Sequence, residues 1–144
     1  VLVKRMFLCE LCGSPYIRYT QTVDFEGFTL DGKDVVDIAY AGYAYCWVCE
    51  SNMEATDGYL IYADGKLYGL LEDYNRQLRI YEVPFTLQHD TVSPKKQSPQ
   101  LLTTLQLNDF TRAILDTLLD DYAPKGYRFE MLHILLGEVS EHAC

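Results

Sequence analysis

The sequence predicts an α+β protein: a β-rich, four-cysteine zinc ribbon and further hairpins at the N-terminal end, then a C-terminal helical hairpin. Three observations predict it. Two Cys-x-x-Cys pairs bracket a strand-rich segment, Asp-Gly dipeptides sit between aromatic and β-branched runs, and the last third changes to helical spacing. With 144 residues, 49% of them apolar, the chain is long enough to bury a core.

Residues 1–55 are expected to form the ribbon. FLCELCGS at 7–14 carries the first cysteine pair, YIRYTQTV and FEGF read as strands, and a Leu-Asp-Gly-Lys turn at 30–33 leads into DVVDIAYAGYAYC. Asp31-Gly32 suits a tight hairpin because its central residues need positive φ, which Gly and Asp tolerate. Residues 56–86 add a hairpin, GYLIYADGKLYGLL, with Asp64-Gly65 at its tip, and a strand, LRIYEVPF, stopped at Pro84. Residues 87–100, LQHDTVSPKKQSPQ, are polar and aperiodic and predict a loop or linker.

Residues 101–144 are expected to hold the helical hairpin. Asn108 is a candidate cap, and Phe110, Ile114, Leu118 and Tyr122 recur every fourth position. Pro124 and Gly126 turn the chain into a second helix, about 128–141, with Leu132, Leu135, Leu136 and Val139 as its stripe. Asp120 and Asp121 oppose the dipole of the first helix at its C-terminal end, which predicts a solvated acidic corner.

The chemistry concentrates in Cys9, Cys12, Cys46 and Cys49. Two cysteines two residues apart can aim both sulfurs at one ion from a tight turn, and two such knuckles complete a tetrahedron of thiolates. The segment 13–45 between the pairs is long for a four-cysteine site, but an antiparallel hairpin returns the chain to its starting point. Gly13 eases the first knuckle, since the turn needs a backbone conformation that glycine adopts cheaply. A structural Zn2+ is the expected ligand, and iron fits the same four thiolates. A redox dithiol is disfavoured because ESNMEATDG after Cys49 opens no helix that would depress a thiol pKa. Cys144 is left over as a free terminal thiol, and His89, His133 and His142 lack ligand spacing.

The net charge of −9, from 21 acidic and 12 basic residues, disfavours a general grip on nucleic acid and points to a protein partner. The pairs Lys4–Arg5, Arg76/Arg79 and Lys95–Lys96 are the basic clusters that a nucleic-acid-binding alternative would need, and twelve tyrosines leave a stacking platform to be considered. No phosphate-binding glycine loop, serine-nucleophile elbow or zinc-protease helix motif occurs, so no enzyme activity is expected. No stretch approaches the roughly 20 apolar residues of a membrane span. The N-terminal VLVKRMFLCE has too short an apolar run for a secretory signal, so a cytoplasmic location is expected.

Residues 7–52, with CELC, a β-hairpin and CWVC after an aromatic strand, resemble the YgiT-type zinc domain of MqsA-like antitoxins. The resemblance implies a structural zinc on Cys9, Cys12, Cys46 and Cys49 and a zinc domain that contacts a toxin. It covers residues 7–52 only, and beyond residue 100 two expected helices, with only Arg112, Lys125 and Arg128 as basic residues, stand in place of a five-helix DNA-binding domain. The expected function is a non-enzymatic, zinc-stabilised acidic regulator or inhibitor acting through protein–protein interaction. A phage or mobile-element inhibitor that competes with nucleic acid for a basic partner surface fits this profile. The alternative is a zinc-ribbon nucleic-acid-binding or transcription-associated factor.

Overall fold

A computed structural model describes residues 2–19, 28–29 and 43–137. Over these residues the chain is α+β: ten strands, mostly in the N-terminal two thirds, then two helices. The strands are β1 (Leu2–Cys9), β2 (Ile17–Tyr19), β3 (Phe28–Thr29), β4 (Tyr43–Cys46), β5 (Ser51–Ala63), β6 (Lys66–Glu72), β7 (Gln77–Glu82), β8 (Phe85–Gln88), β9 (Thr91–Pro94) and β10 (Gln100–Gln106). The helices are α1 (Asp109–Leu119) and α2 (Lys125–Leu136).

The long strand β5 organises the molecule. Its first residues pair antiparallel with β4, with Cys46 opposite Ser51, and its remainder pairs with both β1 and β6. The sheet then continues through β7 to β10 at its edge, while β2 extends it beyond β4. A smaller sheet of order β3-β9-β8 lies apart from this path. Ser51 onward is therefore strand, although its polar composition hides the fact, and the ribbon shares β5 with the hairpin that follows.

Turn chemistry sets the register where the sequence indicated it. Asp64 and Gly65 join β5 to β6 with φ of 51° and 75°, the two positive angles of a primed hairpin turn. The β8–β9 turn repeats this at His89 and Asp90, φ 49° and 66°, without a glycine. This corrects the loop expected over 87–100: β9 and the end of β8 fall inside it. The polar residues there alternate around buried Val92 and Pro94, a short strand pattern obscured by two prolines and two lysines.

The core spans sheet and helices. Ile61, Tyr68, Leu70, Leu78 and Ile80 from the strands meet Ile114, Leu115, Leu118, Met131, Leu132 and Leu135 from the helices. A second cluster, with Leu8, Leu60, Leu67, Leu71 and Val83, fills the space around Tyr81. α1 starts at a capping box: Thr111 N donates to Asn108 Oδ1 at 2.9 Å and Asn108 N donates to Thr111 Oγ1 at 3.0 Å. α1 ends at Leu119, so Tyr122 lies beyond it and is exposed, as is Phe110; the buried stripe is Ile114, Leu115 and Leu118. α2 begins at Lys125 rather than 128, directly after Pro124, and stops at Gly137 in the left-handed conformation. Leu132 and Leu135 are buried as the spacing predicts.

The acidic corner at the end of α1 has a local answer. Arg128 is buried, its Nε donates to Leu118 O at 2.8 Å, and its Nη2 lies 3.8 Å from Asp121 Oδ1. A guanidinium at the helix C-terminus satisfies the Leu118 carbonyl and offsets the Asp121 carboxylate. The Asp31-Gly32 turn, most of the strand before Cys46, Val139, His142 and Cys144 lie outside the described residues.

Candidate metal centre

The strands deliver the cysteines in pairs. β1 ends at Cys9, opposite Ala55, and β4 ends at Cys46, opposite Ser51, so one strand, β5, fixes the positions of both knuckles. β2 tightens the junction, since Ile17 pairs with Cys46 and Trp47 N donates to Tyr16 O at 3.2 Å.

Within the first knuckle Gly13 N donates to Cys9 O at 2.8 Å and Cys9 N donates to Ser14 O at 2.9 Å. In the second, Cys49 N points at Cys46 Sγ at 3.5 Å. The residue after each pair takes a positive φ, 81° at Gly13 and 54° at Glu50. The two knuckles therefore repeat one backbone design, with glycine at one copy and a strained glutamate at the other. The glycine was readable from the sequence; its counterpart at Glu50 carried no composition signal.

All four sulfurs, of Cys9, Cys12, Cys46 and Cys49, lie within 4.8 Å of one another and can hold a metal ion. Cys9 Sγ is 3.6 Å from Cys49 Sγ, and Cys12 Sγ is 3.6 Å from Cys46 Sγ. A tetrahedral ion with metal–sulfur bonds of about 2.3 Å sets its sulfurs about 3.8 Å apart. A disulfide needs about 2.05 Å. The spacing fits thiolates around an ion, and these cysteines are free.

Protonation leads to the same chemistry. The Cys12 thiol is pushed far above its ordinary value by its hydrogen bonds to Cys46 and Cys9 and by burial. Cys46, which receives those bonds, is held well below it. Sulfurs this close cannot all ionise by themselves, and a divalent cation among them removes the conflict.

The bed beneath the site is apolar: Phe7 and Ile17 are buried with Cys9 and Cys46, and Val48 packs against them. Tyr81 of β7 supports the first knuckle from the side. A Cβ built on Gly13 would lie 2.5 Å from the Tyr81 ring, so ring and backbone are in direct contact. The Tyr81 hydroxyl accepts from Arg79 Nη1 at 2.9 Å, and Arg79 Nε lies 3.7 Å from Asp73 Oδ2. Asp73 in turn receives Asn75 N and Gln77 N, which fixes the β6–β7 turn. Burial raises the Tyr81 pKa, so the phenol stays neutral. Sequence reading missed this support because Tyr81 is one of many strand tyrosines.

The tips differ. Leu11 is exposed, whereas Trp47 and Val48 are half-buried. Tyr45 meets Trp47 edge-on at 5.0 Å, and Lys96 Nζ lies 5.0 Å from the Trp47 ring centroid. Lys96 is thus brought to the second knuckle from far along the chain. Lys66, by contrast, contacts Glu82, and His133 stacks edge-on with Phe129, away from the cysteines.

Fold and site together define an α+β protein built around a four-cysteine candidate metal centre at the junction of β1, β4 and β5. Comparison with protein families, curated proteins and solved structures gave no match. No helix among the described residues is long and apolar enough to cross a membrane.

Proposed function

We propose that the protein is a non-enzymatic, zinc-stabilised acidic regulator or inhibitor that acts by binding another protein. The observation that carries the reading is the closed set of four sulfurs. A closed thiolate tetrahedron leaves no coordination position for substrate, so its contribution is folding free energy and a rigid platform. Zinc suits that role because it is redox-inert and takes tetrahedral thiolate sites readily.

The excess of carboxylates supports a basic partner surface, of the kind that also attracts nucleic acid. An inhibitor from a phage or mobile element that competes for such a surface is the specific form we favour. The resemblance of residues 7–52 to antitoxin zinc domains is in keeping with a partner-binding ribbon. Affinity capture on the metal-loaded protein, with competition by added nucleic acid, tests the reading. Enrichment of a basic protein that nucleic acid displaces is expected; capture of nucleic acid itself, weakening steeply with salt, would overturn it.

One observation favours the second reading, a zinc-ribbon nucleic-acid-binding factor. Lys96 stands over the Trp47 ring, which Tyr45 meets edge-on, a pairing of cation and ring that also suits single strands. Replacing Lys95 and Lys96 by glutamine would then lower nucleic-acid affinity and flatten its salt dependence.

A further inference from the structure

The four sulfurs of the candidate centre are not equivalent. Cys9 and Cys46 are buried, Cys12 is half-buried and Cys49 is exposed. Phe7, Ile17 and Val48 shelter the two buried cysteines, whereas Cys49 Sγ lies 3.2 Å from Ser51 Oγ in a contact open to solvent. A small water-borne oxidant therefore reaches Cys49 first. The close sulfur contacts also cross the site: Cys9 Sγ is 3.6 Å from Cys49 Sγ and Cys12 Sγ is 3.6 Å from Cys46 Sγ, so each joins one knuckle to the other. Closing the Cys9–Cys49 contact to a disulfide takes a movement of only about 1.5 Å.

We propose that Cys49 is an oxidation site for hydroperoxides, and that its oxidation ends in a disulfide to Cys9 that spans the two knuckles and releases the metal. The inference rests on the metal reading above. In the first step the Cys49 thiolate attacks one oxygen of hydrogen peroxide: an S–O bond forms, the O–O bond breaks, and hydroxide leaves with the electron pair. The Cys9 thiolate then attacks the sulfur of the Cys49 sulfenic acid, an S–S bond forms, the S–O bond breaks, and a second hydroxide leaves. The two thiolates have lost two electrons to the peroxide, and the two hydroxides take up protons from solvent. Because the thiolate is the ligand form of cysteine, the disulfide removes two of the four ligands and the ion is no longer held.

Which cysteines pair decides what happens to the fold. A disulfide within one Cys-x-x-Cys closes a very short loop and leaves the two knuckles untied. A Cys9–Cys49 bond links residues 40 apart in the chain and holds the end of β1 to the turn after β4, the tie that the ion supplied. Because the constraint on the unfolded chain grows with loop length, the oxidised metal-free protein is more stable than the reduced metal-free one. The ion is lost, the junction of the strands is kept, and a dithiol reductant reverses the change.

The test uses the unmodified chain. Its metal content is measured, equimolar hydrogen peroxide is added with a chromogenic zinc indicator present, free thiols are blocked with N-ethylmaleimide, and the tryptic peptides are mapped by mass spectrometry. Trypsin separates the knuckles into peptides 6–18 and 34–66, so a bond between Cys9 and Cys49 appears as a cross-link of the two, with the blocking group on Cys12 and Cys46. Metal release is expected to rise in step with that cross-link. Dimedone, added during oxidation to trap sulfenic acid, should label Cys49. Dithiothreitol with added zinc should restore the metal-loaded form, and the oxidised chain should melt above the chain stripped by chelator under reducing conditions. A disulfide within either Cys-x-x-Cys, a sulfenic acid trapped first at another cysteine, or a metal-bearing chain that keeps its metal in peroxide overturns the proposal and leaves the metal reading standing. A chain that takes up no metal overturns both.

Discussion

At the scale of single residues, the metal centre depends on backbone conformations more than on the cysteines' neighbours in sequence. Gly13 combines a φ of 81° with a Tyr81 ring that leaves no room for a Cβ. Gly13→Ala is expected to destabilise the protein by about 2–4 kcal/mol, from left-handed strain together with overpacking, read as a lower urea midpoint. Glu50 holds the equivalent position at φ 54° with an exposed side chain. Glu50→Gly should therefore raise stability by up to about 1 kcal/mol, the relief of strain less the extra entropy of the unfolded glycine. A loss of stability in that variant would mean that the glutamate makes a contact of its own. The four ligand candidates were legible from their spacing alone, because a Cys-x-x-Cys knuckle is a local geometry. Tyr81 was not, because its contact with Gly13 joins residues far apart in the chain.

At the scale of elements, local signals were read correctly at two places where a turn or cap residue dictated the backbone, although Gly126, read as part of a turn, lies inside α2. The two are Asp64-Gly65 and Asn108, and both lie where the structure needs positive φ or an N-cap acceptor. Asn108→Ala should cost about 1 kcal/mol and lower the helical signal in thermal melts, since it removes one half of the capping box. Strands whose exposed face is polar went unread. The start of β5 and the pair β8–β9 have few apolar residues, and their strand state comes from pairing, which composition does not encode. The helical stripe was overextended for a related reason: Phe110 and Tyr122 share the four-residue spacing, yet the sheet beneath covers only the middle of α1. Arg128 answers Asp121 and the carbonyl of Leu118 from the facing helix, a tertiary contact that no reading of α1 alone supplies.

At the scale of the whole molecule, a metal held by the four cysteines would couple directly to folding, because the strands that deliver the cysteines also begin the large sheet. Metal removal should therefore loosen more than the knuckles: a strong chelator is expected to lower the melting temperature of the entire sheet. The sign with pH follows from the thiols. In the metal-free fold the Cys9 pKa rises to about 11, with hydrogen bonding to Cys46 and burial outweighing the opposing pull of Cys12, and Cys12 is raised further. Both are thiols at neutral pH, so loading releases protons, and acid rather than base should drive the metal out. Stability supplied by a bound metal is thus expected at neutral and mildly alkaline pH and should be lost as pH falls. The central claim is that Cys9, Cys12, Cys46 and Cys49 close around one structural zinc. Native mass spectrometry of the purified chain, with metal analysis and alkylation of the same sample, tests it most directly. The account predicts one zinc per chain and four cysteines protected from alkylation until the metal is removed. A metal-free chain whose cysteines alkylate freely, or one carrying a disulfide within either pair, would contradict it.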